Sequence, residues 1–365
     1  MTRAGYLQRK VIRMVSVKEL NSEVYIAREP IVSVGPSEIE FLKKKVNSNE
    51  RKRIRLCAHK STEDRLHEMF IVLTNEAYFP PSKHLNKDES LHVVEGLADY
   101  IFFDEQGSVT EVIPLGDYAS GRRFYCRVPE FSYHAIIIRS DILVIHETTQ
   151  GPFRKHDTAF APWGPEVGDE TAVARFFKRF PVLANSAPGI LPMTPSTPEA
   201  YYSDAQIVKV GPPELAFFKE RVHLNERKRV RLCAHKNTED ELHEMFVLYL
   251  KETYVRPNKH LHKDESLHII EGEADFIFFD EGGNVTGVVH LGDYASGRQF
   301  YVRVPDSVYH TLIIKSDSIV IHETTPGPFN RSDTLFAPWA PEEGTDSVAN
   351  YIKKLAAAAE NFNVG

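Results

Sequence analysis

The chain has 365 residues, 42% of them apolar and 11% aromatic, which is ample for more than one hydrophobic core, so two globular domains are expected. The net charge of -7 is spread over interspersed acidic and basic residues with no one-sided basic face, which argues against nucleic acid as a partner. No apolar run nears the roughly 20 residues that cross a bilayer, and the opening "MTRAGYLQRKVIRM" lacks a secretory pattern, so the expectation is a cytoplasmic protein without membrane contact.

In chain order, "IVSVGPSEIEFLKKKVNSNE" predicts a short strand and then a helix, opened by Gly-Pro and carrying Ile39, Leu42 and Val46 at helical spacing. Short runs rich in branched and aromatic residues follow, "EMFIVL", "SLHVVEGLADYIFFD", "RRFYCRVP", "HAIIIRS" and "ILVIHETT", separated by turn signals such as "DEQGS". These are strands of a sandwich or barrel. "TAVARFFKRF" reads as a helix, and residues 181–199, with five prolines, read as a linker that is a poor helix or strand. Beyond it the series starts again with "IVKVGPPELAFFKERVHLNE" and closes on a helix in "SVANYIKKLAAAAE". A shift of 176 places residues 51–166 on residues 227–342 without a gap, with about two-thirds of positions identical. One domain has been duplicated, with expected bounds 23–180 and 200–365, in an all-β chain with a few flanking helices.

The three cysteines, Cys57, Cys126 and Cys233, are an odd number without CxxC spacing, so neither a disulfide framework nor a cysteine zinc site is expected. They read as small buried hydrophobes.

The most informative stretch is "KHLNKDESLHVVEG", repeated as "KHLHKDESLHIIEG". His84 and Glu89 lie five apart around a turn, and His134 lies five beyond Pro129. This skeleton resembles the two motifs of the cupin superfamily. The resemblance implies two tandem cupin barrels (double-stranded β-helix, or jelly-roll), a bicupin, with a metal on His84, Glu89 and His134 and another on His260, Glu265 and His310. The chain departs from the pattern at the first histidine of the HxH pair, which is Ser82 or Asn258, and at a motif glycine, which is Phe131 or Ser307. Over nearly all of each half, "RLCAHK", "HEMFIVL", "KDESLHVVEG" and "FAPWGPE" further resemble the WbuC family of cupin-fold metalloproteins, often associated with bacterial surface-polysaccharide gene clusters.

Two imidazoles and one carboxylate leave positions open for water or substrate, and they suit Fe, Zn, Mn and Ni alike. About one divalent ion per cupin domain is expected. His67 and His243, in "LHEM", are candidates for a fourth ligand, because alternation puts His67 on the face of Met69 and Ile71; the plain alternative is a core histidine. His92 and His268 lie at odd offsets from Glu89 and Glu265 and read as packing or interface residues. Of each adjacent His-Glu pair in "HETT", one must face inward, and the resemblance favours Glu147 and Glu323 as pocket carboxylates. Tyr125 and Tyr301 are expected beside them on the pocket walls, giving four candidate catalytic residues. Arg55, Arg122 and Arg127, repeated as Arg231, Arg298 and Arg303, are candidate substrate binders, arginine being suited to carboxylate or phosphate.

The leading expectation is a metal-dependent enzyme acting on a small polar molecule such as a sugar or nucleotide-sugar, by isomerisation or epimerisation. Its rivals are an Fe-dependent dioxygenase and a non-catalytic bicupin that holds metal or a small ligand. The two halves are expected to pack as an intramolecular pseudo-dimer, leaving room for further oligomerisation.

Overall fold

The computed structural model describes residues 14–180 and 189–362. Each half is a sandwich of an eight-stranded and a five-stranded sheet. In the first half the larger sheet runs, in spatial order, Val17–Asn21, Val24–Ala27, Arg53–Cys57, Leu66–Thr74, Ile142–Gln150, Glu89–Glu95, Tyr125–Val128 and Val208–Val210. The smaller sheet runs Thr158–Phe160, Ser82–His84, Tyr133–Ile138, Leu97–Phe103 and Val109–Gly116. The second half repeats this order, and the two together are an all-β bicupin of jelly-roll type with four α-helices among the described residues.

The last strand of each large sheet comes from the other half. Val208–Val210 pairs antiparallel with Tyr125–Val128, and Val32–Val34 pairs antiparallel with Tyr301–Val304. The exchange covers edges that would otherwise present unpaired backbone groups. Val34 and Val210 are fully buried by it, and each such valine is worth about 1.5–3 kcal/mol relative to exposure. The helices Pro36–Val46 and Pro212–Val222 follow these strands and return to their own halves. Their starts are fixed by Glu38 and Glu214, each of which accepts from the backbone N–H of the preceding glycine, at 2.9 Å from Gly35 and 2.8 Å from Gly211. The halves are thus interlocked as a pseudo-symmetric pair.

Alternation along the strands sorts side chains into three environments. Leu91, Val93, Tyr100, Cys126 and Ile145 fill the space between the two sheets of the first half. Tyr133, Ala135 and Ile137, on the outer face of the small sheet, take Phe176 of the helix Glu170–Phe177. The remaining face of the large sheet turns toward the other half.

The proline-rich stretch is only partly a linker. Residues 181–188 lie outside the described residues, but Met193–Thr197 forms a strand, paired with Ala200–Ser203 at the margin of the second large sheet. Pro195 is tolerated because an edge strand leaves one side of its backbone without a ladder.

Candidate metal centre

His84 closes the short strand Ser82–His84, Glu89 opens the strand Glu89–Glu95, and His134 is the second residue of Tyr133–Ile138. Glu89 shares the inner face of Leu91 and Val93, and His134 shares that of Ile136 and Ile138, so both project between the sheets. One ligand atom from each of the three lies within 4.8 Å of the others, and His260, Glu265 and His310 meet in the same way. His84 Nε2 is 2.7 Å from Glu89 Oε2, and His134 Nε2 is 3.8 Å from Glu89 Oε1. In the second half the corresponding separations are 3.2 Å and 2.9 Å. Ligands bound at about 2.1 Å to one ion stand about this far apart.

The surrounding hydrogen bonds fit a metal site. His134 Nδ1 donates to the Ser132 carbonyl at 2.8 Å and His310 Nδ1 to that of Val308 at 2.9 Å, which leaves each Nε2 lone pair pointing at its carboxylate. His84 and His260 meet Thr158 and Thr334 at 3.3 Å and 3.2 Å through Nδ1. Burial opposes ionisation of Glu89, but the charge and hydrogen bond of His84 draw its pKa down to about 2, so a carboxylate is ready to bind a cation.

A cavity of about 580 Å³ opens above the first triad, lined by Glu147, Arg55 and the apolar side chains of Leu73, Phe79, Leu91 and Ile145. Glu147 is paired across strands with Leu91 and Met69, which fixes it on the inner face. Burial, and then the charge of Glu89, raises its pKa to about 7; Glu323 is raised to about 7 by burial and Glu265. The Arg55 guanidinium has the Met69 sulfur at 3.7 Å as its hydrogen-bond contact and makes no ion pair among the described residues, though its charge reaches Glu147, whereas neighbouring Arg53 is held by Glu23 at 2.8 Å. Tyr100, a wall residue that sequence reasoning did not single out, donates to Glu89 Oε1 at 3.2 Å.

Several expected site residues lie elsewhere. Tyr125 and Tyr301 are completely buried between the halves, not on the pocket walls. Tyr125 packs on Phe246 and His322, and the Tyr301 hydroxyl donates to Glu68 at 2.9 Å. The reason is parity: Cys126 and Val128 face the first-half core, so Tyr125 and Arg127 must face away. Arg127 and Arg303 are accordingly not substrate binders; each is buried, at 3.0 Å from Glu244 and Glu68 of the opposite half. Arg122 stands 3.9 Å from Asp99, and Arg298 is a surface residue 3.0 Å from Glu273; Arg122 is not among the residues lining the first cavity. His67 and His243 do not join the triads but stack on His59 and His235, with ring centroids 4.2 Å and 4.1 Å apart.

Sequence reasoning also passed over Glu68 and Glu244, which follow those histidines. Each is fully buried between the halves, and each takes a serine hydroxyl at 2.5 Å from beside the opposite metal ligand, Glu68 from Ser266 and Glu244 from Ser90. Their signal was a carboxylate within an otherwise apolar strand, which needs a buried partner.

Fold and triads together define a bicupin with a site for one divalent metal in each half. The comparisons agree on the fold. A family model described as "Domain of unknown function (DUF6016)" matches residues 36–115 and again residues 214–291, one copy in each half. Among solved structures, the chain is similar to salicylate 1,2-dioxygenase from Pseudoaminobacter salicylatoxidans in its adduct with gentisate, with TM-score 0.56 and 12% identity over 86% of this chain and 85% of that one. A single-residue variant of the same dioxygenase gives 0.54 and 13% over 87% and 90%. No curated protein matches the sequence.

Proposed function

We propose that the chain is a metal-dependent bicupin enzyme of the dioxygenase type, oxidising a small carboxylate-bearing molecule with dioxygen. The observation that carries this reading is the incomplete ligand set at the base of an open cavity: two imidazoles and a carboxylate, with Glu147 and Arg55 beside them. Divalent iron held by such a set supplies Lewis acidity and redox chemistry at the positions the protein leaves open. Arg55 anchors the substrate carboxylate: among the described residues it makes no ion pair, whereas the other lining arginines, Arg51 and Arg53, pair with Glu23. Glu147 accepts a proton released as the substrate reacts, a task matched to a carboxyl whose pKa lies near 7. Tyr100 holds Glu89 in orientation, and the apolar walls exclude water.

Salicylate 1,2-dioxygenase, whose fold this chain shares, supports the oxygenase reading. Sugar isomerisation, suggested by the WbuC resemblance, draws no such support. Testing requires protein loaded with Fe(II) under nitrogen, then given air and a panel of aryl and hydroxy carboxylates. Oxygen uptake matched by substrate loss is the expected result. Turnover that proceeds equally under nitrogen would overturn the reading in favour of isomerisation, and binding without turnover would leave a non-catalytic bicupin.

A further inference from the structure

The duplicated metal sites share their chemistry but not the side chains around them. Both carry a triad and a glutamate of raised pKa, and each has an arginine whose charge reaches that glutamate, Arg55 from the cavity lining and Arg231 from an exposed position. Where Leu73 lines the first cavity, the second half has Tyr249. Tyr249 lies on the inner face of Leu242–Leu250, against Leu267, Ile269 and Phe276, and that face also carries Met245, paired across strands with Glu323. Burial and then the charges of Glu323 and Glu265 raise its pKa, in keeping with a phenol held near both carboxylates.

The phenol on the opposite wall has moved the other way. Tyr100 donates to Glu89, whereas its counterpart Phe276 can donate nothing. The first cavity's tyrosine is therefore committed to a metal ligand, while the Tyr249 hydroxyl has no hydrogen bond within the described residues. Two further exchanges point the same way. Asn258 replaces Ser82, and its Oδ1 is buried without a partner; Arg256 replaces Pro80, and its Nε is also buried without one. Leaving such buried atoms unpaired is unfavourable, so a ligand that pairs with them is favoured over one that does not. Among the described residues, no fully buried side-chain polar atom of the first cavity's lining lacks a partner.

We infer that the two halves select different carboxylates: the first a carboxylate on an apolar body, the second one bearing hydroxyls that meet Tyr249 and Asn258. This rests on the reading of Arg55 as an anion anchor given under Proposed function, extended to its counterpart Arg231, but not on turnover.

The test uses the full chain loaded with Co(II), whose visible spectrum reports the half that holds it. The variant His260→Ala leaves cobalt beside the first cavity, and His84→Ala leaves it beside the second. Each is titrated with benzoate, an apolar carboxylate, and with quinate, a hydroxylated one. Benzoate is expected to bind the first half at least about tenfold more tightly than quinate, and the order is expected to reverse in the second. Tyr249→Phe keeps the ring and removes only the hydroxyl; it is expected to weaken quinate in the second half about fivefold and leave benzoate unchanged. The same order of preference in both halves, a null effect of Tyr249→Phe, or no response to either probe would overturn the inference. Absence of oxygen uptake alongside the expected binding would instead sink the dioxygenase reading and leave this one standing.

Discussion

His146 of the first half and His268 of the second approach to 3.2 Å between their Nδ1 atoms, so only one of them can carry a proton there. They belong to a group of four imidazoles between the halves, in which His92 stacks on His268 at 4.3 Å and His322 lies 6.3 Å from His146. Glu68 lies 3.3 Å from His146 and Glu244 lies 3.2 Å from His322, each carboxylate also holding an arginine. Phe70, Phe246, Tyr125 and Tyr301 close the remaining sides.

Acid is therefore expected to loosen the pair of halves. Burial, reinforced by neighbouring imidazoles, holds His92 and His268 well below the ordinary histidine pKa, and burial also lowers His146 against the pull of Glu68. As pH falls below about 6.5 the unfolded chain takes up protons that the folded chain refuses, so stability drops by up to about 1.4 kcal/mol per pH unit for each such histidine. Glu68, brought down to about 2 by His146 and Arg303 despite burial, adds a further loss below about pH 4.5. Calorimetry should show Tm falling between pH 7 and pH 5, and the fall should be smaller in a His92→Phe/His268→Phe variant. A Tm independent of pH over that range would refute the neutral cluster.

Metal content is expected to be about two ions per chain, because each half has its own triad. His84→Ala and His260→Ala should each lose about one ion by elemental analysis while the circular dichroism spectrum is retained, since both histidines are only partly buried and belong to neither apolar cluster. One ion in the unmodified chain at saturating metal would mark one triad as scaffold.

The two sites should differ in affinity through Tyr100. A hydrogen bond that orients a ligating carboxylate typically carries a 10–100-fold effect on metal affinity. Tyr100→Phe, which gives the first site the residue of the second, should weaken the first site by about tenfold in a chelator competition and leave the other unchanged.

The buried pair of Arg303 and Glu68 should matter for stability rather than turnover. Arg303→Met strands a carboxylate that also lies between Ser266 and Tyr301, and loss of one partner of a buried pair costs about 3–5 kcal/mol. Denaturant unfolding would register this as a lower midpoint. A loss of activity at unchanged midpoint would contradict the structural role.

Glu147→Gln and Glu323→Gln keep the shape of each cavity and remove the proposed proton acceptor. With metal content unchanged, turnover of whichever carboxylate is oxidised should fall about 10²–10⁴-fold in the double variant. Full turnover would show that neither carboxylate moves the proton.

The sequence by itself determined the duplication, the all-β character and both metal triads. Those follow from spacing within a half: His84, Glu89 and His134 hold their separations because a five-residue turn and an alternating strand leave them few directions to point. Alternation also placed Glu147 and Glu323 at one of two faces, and sent His92 and His268 away from the metal. What only the tertiary structure decided is what lies on that other face. Val32–Val34 and Val208–Val210 cross between halves, so the large sheets are buried on both sides and both faces look equally apolar in sequence. Tyr125, Arg127, Tyr301 and Arg303 were expected at the pocket, but they lie on that other face, where Arg127 meets Glu244 and Tyr301 and Arg303 meet Glu68, more than a hundred positions away in the chain. Pairings of that separation leave no periodic trace, because their geometry is fixed by how two finished sheets meet and not by the pitch of either one.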